Sequence, residues 1–342
     1  VEAGPQGQPV LRRQVGALSP TPEAIARAEA AGFRVLRRDA LDALGLSLVV
    51  FEAPEGLSTR RALKKLRALD PAGTYDYNHL YLGSGAGAHA DAGEATVPSS
   101  RAEPPIAPPG TRIGLIDSGI DFAHPVLGGV DVVRHGCDGA SFPAPHGTAV
   151  ASLLVVVPGA TLYTADVFCG HGGGSLSLLA VELDWMAREK VPVVNISLVG
   201  AKSILLTGLV RAMTSRGFLL VAAVGNDGPT APPLYPASYP EVVGVTGGDA
   251  ARRVLPEACR GEQVDFAAAG AGISAAAVGG AYEEIRGTSF ATPIVAGLLA
   301  RSLQAPDPAA GSAALHDAVL DALPWQRRWQ LQRLWRQLER QA

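Results

Sequence analysis

Apolar positions along the first 82 residues change period several times, and each change marks an element. Val10 to Val15 reads as a strand. Thr21 followed by Pro22 is an N-cap with proline at the first helical position, opening a helix over Glu23 to Ala31. Phe33 to Leu36 and Leu46 to Phe51 read as further strands. Ser58 caps a helix that gathers Leu63, Leu66 and Leu69 on one face and turns Arg60, Arg61, Lys64, Lys65 and Arg67 to water. Tyr75 to Leu82 ends the region as a strand with alternating aromatic positions. The order βαββαβ predicts a small α+β ferredoxin-like domain over residues 1–82.

The segment 83–110 is almost wholly Gly, Ala, Ser, Pro and isolated charges. It lacks the periodic apolar residues that offset the entropy of ordering, and reads as a linker. From Thr111 short apolar runs alternate with helical stretches: Ile113 to Ile116, Leu162 to Val167, Val191 to Ile196, Leu219 to Val224 and Val242 to Thr246. Short, mainly apolar runs alternating with helices predict an α/β domain over residues 111–323, a parallel sheet with helices on both faces. Residues 324–342 carry another pattern. Leu331, Leu334, Trp335 and Leu338 recur at helical spacing, while Arg327, Arg328, Arg333, Arg336 and Arg340 oppose a lone Glu339. This predicts an amphipathic cationic helix, packed on the body or open to a membrane surface or an acidic partner.

Composition narrows the classes. With 342 residues, 47% hydrophobic and 18% charged, the chain is too apolar for disorder. A net charge of -3 argues against nucleic acid as a partner. The longest apolar runs, such as Leu153 to Val157 and Phe218 to Val224, fall far short of the ~20 residues that span a bilayer. Three cysteines without a C-x-x-C pair suit neither a disulfide scaffold nor a zinc site. No metal or cofactor is expected.

Three fragments carry chemistry: Ile113-Gly-Leu-Ile-Asp117-Ser-Gly-Ile-Asp121, His146-Gly-Thr148 and Gly287-Thr-Ser289-Phe-Ala-Thr-Pro293. Singly each has a plain structural reading: an aspartate capping a turn, a loop histidine, a helix N-cap serine. Together they supply acid, base and nucleophile in the order Asp, His, Ser. A doubly wound nucleotide-binding protein needs a glycine-rich phosphate turn after its first strand, and Asp117-Ser-Gly-Ile-Asp121 puts two carboxylates there instead.

With these fragments, residues from about 111 to 303 resemble the catalytic domain of the subtilisin family of serine proteases. Supporting segments fall in sequence: His124-Pro-Val-Leu127, Asn195-Ile-Ser-Leu198 and Val221-Ala-Ala-Val-Gly225-Asn226. The resemblance implies an endopeptidase working through an acyl-enzyme without a cofactor. Asp117 would orient His146, His146 would take the proton of Ser289, and Asn226 with the Ser289 N–H would face the oxyanion. Gly172, Gly173 and Gly174 look like one edge of the cleft, and Ser197, Leu198 and Val199 like the other, with Gly225 and Leu234 at the primary pocket. A polypeptide substrate would add between the edges as a strand. Residues 1–82 resemble the family's inhibitory propeptide, with His79-Leu-Tyr-Leu-Gly83 as the tail that enters the cleft; the alternative is a permanent accessory domain.

The chain departs from the family in places. Val199 and Leu234 stand where small residues are usual and add bulk near the primary pocket. The stretch Leu153 to Leu162 has no carboxylate, so the family's calcium loop is not expected there. Ala149 replaces a frequent second histidine outside the triad. Cys137 lies just before His146 and Cys169 just after the strand Leu162 to Phe168. Both are expected near the cleft and to form a disulfide, leaving Cys259 a free thiol, in an exported protein (periplasmic or extracellular).

Overall fold

The computed structural model describes residues 1–83, 108–140, 142–154 and 159–308. Most of the expected linker, the expected C-terminal helix at 324–342 and residues 155–158 of the stretch expected to lack a calcium loop lie outside the described residues.

The N-terminal residues form four long antiparallel strands in the order Thr74–Gly83, Pro9–Leu18, Leu46–Glu52, Arg34–Leu41. Helices Pro22–Ala30 and Thr59–Leu69 cover one face of this sheet. Thr21 caps the first helix, its hydroxyl accepting from the Ala24 N–H at 3.2 Å. Ser58 stands at the N-cap of the second without making a side-chain bond. The strands run longer than the apolar pattern indicates, because Leu46–Glu52 is buried on both faces. Val49 and Phe51 enter the core under the helices, while Leu48 and Val50 enter a second core shared with the remainder of the chain. Gly83, expected to open the linker, is instead the last residue of its strand.

The larger domain is built on a seven-stranded sheet in the order Phe266–Ala269, Val243–Gly248, Leu219–Ala223, Val193–Ile196, Arg112–Asp117, Thr161–Asp166, Val132–Gly136. Every adjacent pair is parallel. Side chains alternate between two buried faces, which is why these strands read as continuous apolar runs. Ile113, Leu115, Val193 and Val221 pack against helices Pro145–Leu154 and Thr288–Ala300. Ile116, Val194, Ile196 and Leu220 pack against Leu176–Arg188 and Ile204–Thr214.

These last two helices also carry the N-terminal sheet. Its Leu41, Leu44, Leu48 and Val50 join Leu179, Leu183, Leu205 and Leu209 in one apolar core. Polar groups fix the register of that contact. Asp76 Oδ2 accepts the Ile204 N–H at 3.0 Å, and Asn78 Oδ1 accepts the Ser177 N–H at 3.1 Å, so each helix start is capped from the other domain. Burial opposes the charge on Asp76, but His79, Ser203 and the Ile204 N–H outweigh it and hold the carboxyl below its ordinary range.

Leu183, fully buried in this shared core, tests how far the two parts stabilise each other. Leu183→Ala is expected to cost about 2–5 kcal/mol in chemical denaturation. The loss should shrink when residues 1–83 are absent, because one wall of the cavity is then water.

Candidate active site

Asp117 is the last residue of the central strand Arg112–Asp117, at the carboxyl edge where open α/β sheets gather functional groups. It is fully buried. Its Oδ1 accepts from His146 Nδ1 at 2.8 Å, from the Ser118 N–H at 2.7 Å and from the Ser118 hydroxyl at 3.1 Å. His146 lies in the first turn of Pro145–Leu154. Burial penalises its charged form, but the charge of Asp117 and the hydrogen bond to it outweigh that penalty and hold the imidazole above its ordinary value. The residues beside His146 are set by contact. A Cβ on Gly147 would strike the Ser118 carbonyl, and the Thr148 hydroxyl donates to Ala144 O at 2.8 Å while accepting the Asp121 N–H at 2.9 Å.

Ser289 is the second residue of Thr288–Ala300 and fully buried. The His146 ring lies 5.5 Å from that of Phe290, the next residue, which brings the imidazole over this helix start. Pro293 stands four residues after Ser289 and has no N–H to give, so the Ser289 carbonyl lacks its helical donor. The Ser197 hydroxyl donates to that carbonyl instead, at 3.0 Å. Asn226 is anchored on the same helix start, its Oδ1 accepting the Thr288 N–H at 3.0 Å. The Thr288 hydroxyl accepts the Gly225 N–H at 3.2 Å. Asn226 also lines the cavity beside the cleft.

The cleft edges hold a strand of the chain itself. Leu198–Val199 pairs antiparallel with Gly83 and Leu82, and Gly174–Ser175 pairs antiparallel with Tyr81 and Leu80. The glycine edge is shorter than expected: Gly172 and Gly173 precede the paired residues, although a Cβ on Gly173 would stand 2.9 Å from Leu82 Cδ2. Gly83 reaches the site, where a Cβ would lie 3.4 Å from the His146 ring. Tyr81 is fully buried, its hydroxyl donating to Ala201 O at 3.1 Å. A Cβ on Gly200 would stand 2.5 Å from Tyr81 Cδ1, so only glycine fits beneath the ring.

Beside Gly83 a cavity of about 960 Å³ remains, lined by Asn226, Val199, Gly200 and Leu234 among others. Gly225 lies just beneath: its φ of 101° is left-handed, and a Cβ there would run into Leu234 Cδ1. Cys137 and Cys169 are joined by a disulfide, with Cα atoms 5.3 Å apart. It ties the end of Val132–Gly136 to the loop that leads to the glycine edge. Cys259 is a buried free thiol, and burial pushes it up.

Ser118, Thr288, Gly200 and Ala201 carry no role in the motif reading, and Tyr81 enters it only as part of the tail His79 to Gly83. Ser118 and Thr288 stand inside the motifs, next to the residues they hold. The Tyr81 seat has no sequence signal of its own, because its walls come from distant segments.

Comparison with known proteins agrees with this geometry. A profile of the subtilase family matches residues 109–323. Subtilisin E of Bacillus subtilis (strain 168) is 33% identical over 206 residues, covering 55% of this chain and 54% of the relative. Subtilisin of Bacillus pumilus is 33% identical over 206 residues, covering 55% and 75%. The chain thus spans about half the length of the first of these relatives. Fervidolysin from Fervidobacterium pennivorans, described as a keratinolytic enzyme related to subtilisin, matches 86% of this chain and 55% of its own with a TM-score of 0.69 and 18% identity, a likeness of fold. The prenylagaramide maturation protease PagA matches 59% of this chain and 80% of its own, with a TM-score of 0.54 and 26% identity. On the match to residues 109–323, most of the chain, this protein belongs to the subtilase family.

Proposed function

We propose that the chain is a serine endopeptidase whose nucleophile is Ser289, and that residues 1–83 keep it latent. The observation that carries the reading is the linked set of Asp117, His146 and the helix start bearing Ser289 and Asn226. Ser289 Oγ attacks the substrate carbonyl while His146 Nε2 takes its proton. The oxyanion is met by Asn226 Nδ2 and the Ser289 N–H at the positive end of the helix. The tetrahedral intermediate collapses to the acyl-enzyme as His146 returns the proton to the leaving amine, and water then repeats the sequence in reverse roles. Asp117 keeps the histidine in the tautomer that leaves Nε2 open. Export is supported by the disulfide Cys137–Cys169, a bond at home in oxidising compartments.

Latency is supported by the strand Thr74–Gly83, which takes both cleft edges and lays Gly83 against His146. A substrate strand needs the same backbone groups. The shared apolar core favours the second reading, a permanent accessory domain. Inhibition in trans separates the two.

A fluorophosphonate is expected to label the chain, once the cleft is cleared, at Ser289 alone, and Ser289→Ala to abolish both labelling and peptide hydrolysis. Because the base must be neutral and Asp117 holds His146 above the usual imidazole value of about 6.5, labelling should fall as pH drops through a midpoint above that value. In Asp117→Asn the midpoint should move down and the rate fall by about 10⁴-fold. Labelling of Ser289→Ala at the parent rate refutes the assignment.

The isolated segment 1–83 is expected to inhibit the protease in trans, and N-terminal sequencing of the active form to place the cut between Leu82 and Gly110. Tyr81→Ala empties the buried seat and should weaken inhibition by more than about 100-fold, the cost of losing a buried aromatic side chain. Full activity with an intact N-terminus excludes latency.

Val199 and Leu234 narrow the cavity next to Asn226, so Ala or another small residue before the scissile bond should be preferred over Phe. Overpacking of about 1–3 kcal/mol corresponds to roughly one to two decades in kcat/KM. Competitive hydrolysis of peptides differing only at that residue gives the ratio, and equal cleavage of Phe shows that the walls yield.

A further inference from the structure

The helix that bears the nucleophile starts with a missing bond. In Thr288–Ala300 the carbonyl of Ser289 should accept the N–H of the residue four positions on, and that residue is Pro293. The carbonyl therefore belongs to the nucleophile itself and sits in a fully buried place, where an unpaired acceptor is costly. Ser197 supplies the donor at 3.0 Å. Its hydroxyl has one proton, and what fixes the direction of that proton is Asn195, whose Nδ2 donates to Ser197 Oγ at 2.9 Å. An amide nitrogen only donates, so the hydroxyl proton goes to Ser289 O. Asn195 and Ser197 are both fully buried. The chain of bonds runs from the strand Val193–Ile196 through Asn195 and Ser197 to the backbone of the nucleophile.

Ser197 also stands at a junction. The residues after it, Leu198 and Val199, form the cleft edge that pairs with whatever strand occupies the cleft, here Leu82 and Gly83. One residue thus connects the edge that grips a substrate strand with the carbonyl of the nucleophile.

Resting on the serine-peptidase reading above, we propose that Ser197 is a positioning residue. Its hydroxyl replaces the helical bond lost to Pro293, and it makes the alignment of Ser289 depend on a strand paired with Leu198–Val199. A long peptide that pairs with this edge holds Ser197, and through it Ser289, in place. A short ester that does not reach the edge gains nothing from it. The hydroxyl takes no part in bond making, so its removal acts on kcat rather than on KM.

The test compares parent, Ser197→Ala and Ser197→Thr, each prepared as the full chain and carried through the same activation. Two substrates are used: a peptide anilide of four residues, which pairs along the edge, and a single-residue ester of the same acyl residue. Fluorophosphonate titration counts folded, reactive sites in each preparation. In Ser197→Ala, kcat per titrated site on the long peptide is expected to fall about 5- to 100-fold, the effect of losing one buried hydrogen bond to the Ser289 carbonyl, with KM within about twofold. The short ester should lose less than the long peptide, so that the advantage of length collapses. Ser197→Thr keeps the hydroxyl and should recover most of kcat. Equal losses on both substrates, or Ser197→Thr behaving like Ser197→Ala, overturn the proposal while leaving the peptidase reading intact. A parent that fails to titrate overturns that reading and the proposal with it. A variant that does not fold titrates no sites, and the threonine form then decides: parent-like kcat and length dependence support the role, and a loss of either refutes it.

Discussion

One strand belongs to two domains, and the arrangement depends on it. The first part of Thr74–Gly83 is the edge strand of the N-terminal sheet, paired with Pro9–Leu18. Its last four residues leave that sheet and lie between Gly174–Ser175 and Leu198–Val199. Within the first part, Asp76 and Asn78 cap the helices Ile204–Thr214 and Leu176–Arg188. Because the caps fix where the strand crosses, they also fix which residue reaches which seat: Tyr81 its buried pocket, Gly83 the His146 ring. A slip of one residue would turn Tyr81 to solvent and break both caps.

Much of this was legible along the chain, for physical reasons that differ by element. The inner strands of the parallel sheet are buried on both faces, so Ile113 to Ile116 or Leu219 to Ala223 cannot be polar anywhere and stand out. Asp117, His146 and Ser289 are legible because they stand at element ends, where short motifs with glycine and threonine hold them. What escaped lacks such a constraint. Val132–Gly136 is an edge strand with two of its five residues exposed and none fully buried, and its Val-Val-Arg-His-Gly shows no clear period. Phe266–Ala269 and Ala271–Ala276 are rich in small residues, demanded by close backbone approach: Gly270 and Gly247 stack so tightly that a Cβ on Gly270 would lie 2.9 Å from Gly247 Cα.

The supporting residues were hidden for a further reason. Ser118 and Thr288 look like ordinary companions of their motifs, and only the fold shows that each turns a neighbour's functional group. Ser197 reads as a substrate-edge residue; that its hydroxyl is needed at the Ser289 carbonyl depends on Pro293, ninety-six residues later in the chain. Proline is usually destructive inside a helix, and here its cost is met by a side chain from another element. The pairing of a broken helical bond with an outside donor gives the site a fixed geometry that a regular helix would lack a reason to share with the cleft edge.

The two ends of the cleft are coupled by a second backbone link. Gly200 N donates to Tyr235 O at 2.8 Å, and Tyr235 N donates back to Gly200 O at 3.0 Å. Gly200 forms the floor under Tyr81, and Tyr235 directly follows Leu234, which fills the space above Gly225. Moving this bridge to widen one seat would move the other. A wide aromatic seat and a narrowed primary pocket are therefore not independent choices of side chain. The wide seat needs Gly200 close to Tyr235, that closeness places Leu234, and Leu234 excludes a Cβ from Gly225. In the structure the distant seat satisfies a large ring and its hydroxyl, while Val199 and Leu234 take up room beside Asn226.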